Sequence, residues 1–362
     1  MKILYLGRYN ELEELTGPEK VAKRIYEQSS KENETAFAEY FFDGSQYGII
    51  KKIFGNEVVS KVSHIYRFGF LKFFTFLFKF RPEIIHIITF ERFAVLAYFY
   101  KFFTGVKIVY NVHGVAVYEN NNFKNVSASL KKKDMYCESK FIKSSDALLY
   151  LSEHQLKIAK EYYKIPDEKI KFINNGIDPE FKSTEIKSDN SELPSLVFIG
   201  DSERKDKDFN FLYEILDKVK EKCNLYVVGN FNPSIYKSTV GNITIISVRK
   251  MSKDLLISFL KDKDVFISSS FYDTFSIATA ECMALGLAPI VTDNTGISKL
   301  ITNGENGFVV KHGDKEDLSG KINLLLENKG VRTEISIRAS KIYELLNWEN
   351  IFSSYNQIYK SI

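Results

Sequence analysis

The chain has 362 residues, of which 44% are hydrophobic and 27% charged, with a formal net charge of +4. That length exceeds what one core usually serves and predicts two domains of about 150 to 200 residues. So small a charge argues against a nucleic-acid partner, permitting only local attraction to anionic ligands or lipid headgroups, and no run approaches the roughly eighteen uncharged apolar residues of a spanning helix.

Residues 2–7 read as a strand that begins at once, without the charged, apolar and small-residue zones of a signal peptide, so a cytoplasmic protein is expected. A helix follows from about 18, then a strand near 35–42 and helices over 56–80. Next come a strand at 82–89, a helix at 91–103, a strand at 106–112 and a long helix near 127–144. A strand at 147–152, a helix at 153–163 and a strand at 169–174 complete the first half. The second half restarts the rhythm with strands at 196–200, 225–229, 243–247, 265–269, 287–292 and 308–310. Short β-branched runs alternating with helical stretches predict parallel sheets covered by helices. The segment 178–194, with two prolines and several Ser, Thr and Asn residues, breaks both periods and reads as the hinge. Domains are therefore expected at 1–180 and 194–344. Open sheets of this kind bind ligands at the carboxyl ends of their strands, in the cleft where two such domains meet.

Cys137, Cys223 and Cys282 are odd in number and widely spaced, and read as core thiols rather than a disulfide or zinc framework. The phosphate-loop, dinucleotide, zinc-protease and serine-hydrolase motifs are absent from the sequence. Residues 68–81 hold seven Phe and three basic side chains, Lys72, Lys79 and Arg81. That segment reads either as a core helix or as an interfacial one on anionic lipid, a surface to which Lys131, Lys132 and Lys133 could add; peripheral contact with the inner face of a membrane is thus one expectation.

The most informative stretch is 265–286: a buried strand, a tight polar loop and the first turns of a helix, with Asp273 and Glu281 eight positions apart. An acid at the loop mouth can reach sugar hydroxyls and one further along the helix can grip a ribose. Between them, the amides of Thr274, Phe275, Ser276 and Ile277 at the helix start attract phosphate. This is the outline of a nucleotide-sugar site. Gly17 before Pro18, in the loop after the first strand, offers a second close backbone approach to phosphate. His113 ends the strand 106–112 beside Gly114 and should face the ligand side of its sheet.

The 273–289 segment resembles the Glu-x7-Glu motif of retaining glycosyltransferases of the GT-B fold, family 4. Phe275, Glu281, Met283, Ala284, Gly286 and Pro289 fall on its pattern, and Asn306-Gly307 matches its later Asn-Gly. Asp273 replaces the first Glu, Thr274 and Ser276 replace glycines, and Lys299 stands where an acid often follows the Gly-Ile turn. The resemblance implies two Rossmann-like, doubly wound parallel-sheet domains facing across a cleft, with a C-terminal helix about 345–362 packing back on the first. It implies an Asn175-Gly176-Ile177-Asp178 turn closing the first domain, and Asp273 and His113 orienting the donor sugar. Arg204 and Lys205, with Lys207 in reserve, would hold the diphosphate, and Glu281 the ribose. The expected reaction moves a hexose from a nucleotide diphosphate sugar, UDP-sugar favoured, to a glycan or lipid-linked acceptor. No metal or other cofactor is expected, because protein cations and a helix terminus do the neutralising. Two other readings stay open: an epimerase or phosphorylase of the same fold, and a non-catalytic binding subunit.

Overall fold

The computed structural model describes residues 1–9, 17–41, 48–183 and 193–362. The chain divides into two compact units, Met1–Asn174 with Trp348–Ile362, and Asn175–Asn347. Most of the hinge predicted from sequence, and Thr16 beside Gly17, lie outside the described residues.

The first unit is built on an eight-stranded sheet: β1 (Lys2–Leu6), β2 (Glu34–Tyr40), β3 (Asn56–Ser60), β4 (Ile65–Phe68), β5 (Ile84–Ile87), β6 (Lys107–Val112), β7 (Ala147–Tyr150) and β8 (Ile170–Phe172). Its spatial order is β3-β4-β2-β1-β5-β6-β7-β8, parallel except for the β3–β4 pair. The second unit has seven strands: β9 (Ser195–Ile199), β10 (Cys223–Val228), β11 (Thr239–Val240), β12 (Ile243–Val248), β13 (Val265–Ser268), β14 (Ala288–Thr292) and β15 (Phe308–Val310). Their order is β11-β12-β10-β9-β13-β14-β15, parallel except for β11–β12. Each sheet thus reverses winding direction beside its first strand, at β1/β5 and at β9/β13, the place where open α/β sheets leave a crevice at their carboxyl ends. Central strands such as β7 and β14 are buried along their length, which is why they read as unbroken apolar runs.

One stretch differs from the expectation of helices over 56–80. β3 and β4 form an antiparallel hairpin, with His64 in the left-handed region at φ 50°, and only Phe70–Phe80 is helical. Val58, Val59, Ile65 and Tyr66 are β-branched or aromatic and favour a half-buried strand pair at the sheet edge. Gly69 fixes the exit: its amide donates to Gly55 O at 2.7 Å, and a Cβ there would lie 2.7 Å from the backbone of Ile53. Sequence reading also missed the short helices Ile49–Phe54 and Ala116–Asn122.

The helix Trp348–Ser361 belongs to the first unit, where it buries a polar network under the sheet. Tyr359 Oη lies 2.7 Å from His86 Nδ1 and 3.3 Å from Tyr5 Oη. His86 Nε2 lies 3.0 Å from Asn111 Oδ1, and Asn111 Nδ2 donates to Tyr355 Oη at 2.7 Å. Asn111 Oδ1 accepts, so Nε2 carries the proton and Nδ1 accepts from Tyr359. Burial pushes His86 down to about 3, keeping this ring neutral. The turn Asn175–Asp178, expected to close the first domain, bonds within the second unit: Ile177 donates to Leu346 O at 2.8 Å, and Asp178 pairs with Lys253.

Candidate active site

Three loops at the carboxyl edge of the second sheet, after β9, β13 and β14, converge on Asp273. β13 (Val265–Ser268) is wholly buried, and hydroxyls fasten the chain beyond it. Ser269 Oγ donates to Asp208 O at 2.9 Å and to Lys207 O at 3.2 Å, and Thr292 Oγ1 donates to Ser270 O at 2.6 Å. The loop after β9 is stitched to the loop after β13 by Tyr272 N donating to Asp206 O at 3.1 Å. Asp273 itself donates its amide to Asn294 O and accepts the Gly296 amide at 2.9 Å, so the loop after β14 clamps it from the other side. Gly296 is required there: a Cβ would lie 1.9 Å from Thr274 O.

The Asp273 carboxylate accepts from the amides of Ser276 (2.8 Å) and Phe275 (3.3 Å) through Oδ1, while Oδ2 takes the Lys207 ammonium. Burial alone would raise its pKa, but the charge and hydrogen bond of Lys207 and the donors at Phe275 and Ser276 outweigh that, leaving the acid below its usual range. Only 14% of its side chain and 17% of that of Lys207 is exposed, so little water screens the pair. Asp273 is therefore a fixed, ionised acceptor.

Ser276 starts the helix Ile277–Ala284 from the left-handed region, φ 70° and ψ 75°. This is where the motif of the resembled family has a glycine, and a side chain there costs on the order of 1 kcal/mol or more. The bond from its amide to Asp273 and its hydroxyl, 2.8 Å from that of Thr279, hold it in place. Because that hydroxyl is engaged with Thr279, the helix start carries no side-chain cap. Thr274 is partly exposed and Phe275 buried, its carbonyl accepting the Ile297 amide at 2.8 Å. Glu281, the fifth residue of the helix, is buried.

Of the cations, Lys207 rather than Lys205 stands against Asp273. Lys205 is exposed, and Arg204 donates through Nε and Nη2 to the two carboxylate oxygens of Asp206. Burial would lower the Arg204 pKa, but Asp206, Asp273 and Asp201 more than offset it. Sequence reading gave His312 no role, yet it lies in this loop cluster: Nε2 is 2.8 Å from Asp208 Oδ2, and the ring meets Phe271 edge-on at 5.3 Å. Like His113, it follows a strand and precedes a glycine, the signal that could have found it.

His113 and Gly17 belong to the first unit. Gly17 is the exposed first residue of the helix Gly17–Ser29. His113 follows β6 directly, and its Nε2 is buried with no hydrogen-bond partner among the described residues. Burial pushes its pKa down to about 4, so the ring is neutral near pH 7, with an uncommitted polar atom at the ligand edge of the sheet.

Residues 39–181 match the family model described as Glycosyltransferase Family 4, and residues 180–342 match that of Glycosyl transferases group 1. The chain is 25% identical over 280 residues to the capsular polysaccharide biosynthesis glycosyltransferase CapM of Staphylococcus aureus, covering 70% of each chain. It is 30% identical over 131 residues to N,N'-diacetylbacillosaminyl-diphospho-undecaprenol alpha-1,3-N-acetylgalactosaminyltransferase of Campylobacter jejuni, covering 36% of this chain and 35% of that protein. Among solved structures, Anabaena Alr3699/HepE in complex with UDP is similar over 100% of both chains, at a TM-score of 0.75 and 16% identity. Two mostly parallel sheets, each switching direction beside its first strand, and two family models spanning residues 39–342 between them therefore make this chain a glycosyltransferase of family 4, with the GT-B fold.

Proposed function

We infer that the enzyme moves a hexose from UDP-sugar to a hydroxyl of a glycan or lipid-linked acceptor, with retention at the anomeric carbon, in cell-surface polysaccharide or glycoconjugate synthesis. The observation that carries this is the ionised Asp273 beside the uncapped start of the helix Ile277–Ala284, at the β9/β13 switch point. A carboxylate locked by Lys207 and two amides loses nothing further when it accepts a sugar hydroxyl. The helix start, the two unused protons of the Lys207 ammonium, Arg204 and Lys205 suit a diphosphate, and Glu281 suits the ribose. As the bond from the anomeric carbon to the phosphate oxygen breaks, negative charge builds on the diphosphate, and fixed donors in a poorly solvated site stabilise it. The acceptor oxygen bonds to the same face of that carbon, and its proton passes to the departing phosphate oxygen. Fixed protein charge supplies the neutralisation, so the reaction needs no metal. The neutral His113 Nε2 suits a hydroxyl of the donor sugar. A UDP complex of a structural neighbour and the sugar-transfer names of the relatives support the donor class.

The test is a thermal-shift screen of nucleotide sugars, in which a ligand bound only by the native state raises the melting temperature. Transfer assays with the best donor and an NMR reading of product configuration follow. An inverted anomer rejects retention, rearranged donor without transfer indicates an epimerase, and the absence of any shift with UDP-sugars rejects the donor.

A further inference from the structure

Away from the Asp273 loops, the first unit carries a cationic groove that the donor chemistry does not use. It is an open cavity of about 360 Å³ lined by Arg92, Ser129, Lys132, Lys133, Tyr136 and Cys137. Five of the six recur at three- and four-residue spacing on one face of the helix Ala128–Ser144. Arg92 enters from the turn after β5. Its Nε donates to Asp134 Oδ1 at 2.5 Å, and Asn120 Nδ2 donates to the other carboxylate oxygen at 2.9 Å. Asp134 and Asn120 are both buried, so the guanidinium is held at its root while neither Nη has a partner among the described residues. Lys132 and Lys133 are exposed and have no carboxylate within ion-pair distance among those residues. Three cations against one buried anion leave a local excess of two positive charges, the complement of a phosphate dianion.

The surface beside this groove is apolar. The helix Val95–Thr104 packs along Ala128–Ser144, with the Lys140 ammonium over the rings of both Tyr98 and Tyr136 at 5.3 Å. It exposes Phe99, Phe102 and Phe103 at 47%, 81% and 67%. On its other side Phe78 meets Tyr100 edge-on at 5.0 Å, and Phe70, Leu71 and Phe78 of the helix Phe70–Phe80 are also exposed. Neither helix contains an acidic residue. Six large apolar side chains in the open on neighbouring helices need a cover, and water is a poor one.

We propose that the groove binds the phosphate of an amphiphile whose hydrocarbon chain lies over the Phe-bearing helices, making the acceptor a lipid-linked phosphate. The word acceptor rests on the transferase reading above; the phosphate site stands without it.

Calorimetric titration of the full chain with farnesyl diphosphate and with inorganic pyrophosphate, both in the presence of UDP, tests this. The double variant Lys132→Gln/Lys133→Gln, whose exposed positions leave folding intact by melting temperature, should weaken both ligands about tenfold or more. The variant Phe102→Ser/Phe103→Ser should weaken farnesyl diphosphate several-fold and leave pyrophosphate unchanged. Unchanged affinity in the lysine variant overturns the phosphate site. Equal affinity for the two ligands with a silent Phe variant overturns the lipid and leaves a soluble phosphorylated ligand. A chain that binds farnesyl diphosphate through the lysines but shows no response to UDP-sugars would sink the donor reading alone.

Discussion

In the first unit, burial pushes Glu91, near the end of β5, up to about 7 in spite of Arg8, and Glu138 to about 7 in spite of the amides of Ala116 and Val117 and the Tyr163 hydroxyl. In the second, Asp273 is buried as well and is held below its usual range by Lys207. Two sheets with the same winding thus treat their ligand-edge acids in opposite ways. Desolvation wins where the partners are few or neutral; a close ammonium with two aligned amides wins where they are not. A buried acid near pKa 7 can carry a proton at neutral pH, whereas one like Asp273 is a permanent charge. The fixed charge sits in the unit to which we assign the sugar diphosphate, where charge develops during reaction.

The comparison breaks if Lys207 is not what keeps Asp273 ionised. Lys207→Ala should lower kcat by roughly 100-fold, the scale for removing a preorganised charge from such a site. Lys205→Ala, in an exposed side chain, should cost less than about tenfold in the same assay. Equal losses would return the central role to Lys205. Gly296→Ala strikes the same carboxylate through the backbone. A Cβ 1.9 Å from Thr274 O forces the loops after β13 and β14 apart, an overpacking cost of about 1–3 kcal/mol. The melting temperature should fall together with UDP-sugar affinity. A fall in temperature with intact affinity would separate the scaffold from the site.

The first unit offers a smaller effect. Tyr359→Phe removes the hydroxyl that donates to His86 Nδ1 and leaves that nitrogen buried without a partner, a cost of about 1–2 kcal/mol. Denaturant titration measures it. His86→Phe in the same background should add less than it does alone, because the partner is already lost.

How far these features were legible depends on how local their causes are. β6 and β13 lie within a residue of their predicted positions, since a strand covered on both faces must be an apolar run. The β3–β4 hairpin escaped because its residues are only half-buried and it runs through Gly69 straight into a Phe-rich helix. Asp273 and Ser276 were readable from motif spacing. The choice of Lys207 over Lys205 was not: it is made by a turn in which Arg204 O accepts from the amides of both Lys207 and Asp208, with Asp208 left-handed at φ 44°. Gly296 and His312 act through contacts 22 and 104 residues away along the chain, and no local pattern announces those.

The pH dependence of stability tests the opposed acids most directly. Glu138 has a folded pKa near 7 against an ordinary 4.5, so the stability linked to it is fully present below 4.5 and is lost as pH rises through 7. His86 and His113 run the other way: their folded values near 3 and 4 lie below 6.5, so their contribution is present above 6.5 and lost as pH falls. Between about 4.5 and 7 the two kinds of group oppose each other, and wild-type stability should vary little. Glu138→Gln removes the acid's share, at most about 1.4 kcal/mol per pH unit. The variant should therefore gain on wild type as pH rises through that window, read as a narrowing gap in melting temperature. A gap constant with pH would mean that Glu138 ionises as it does in water, and that the two sheet edges do not treat their buried acids in opposite ways.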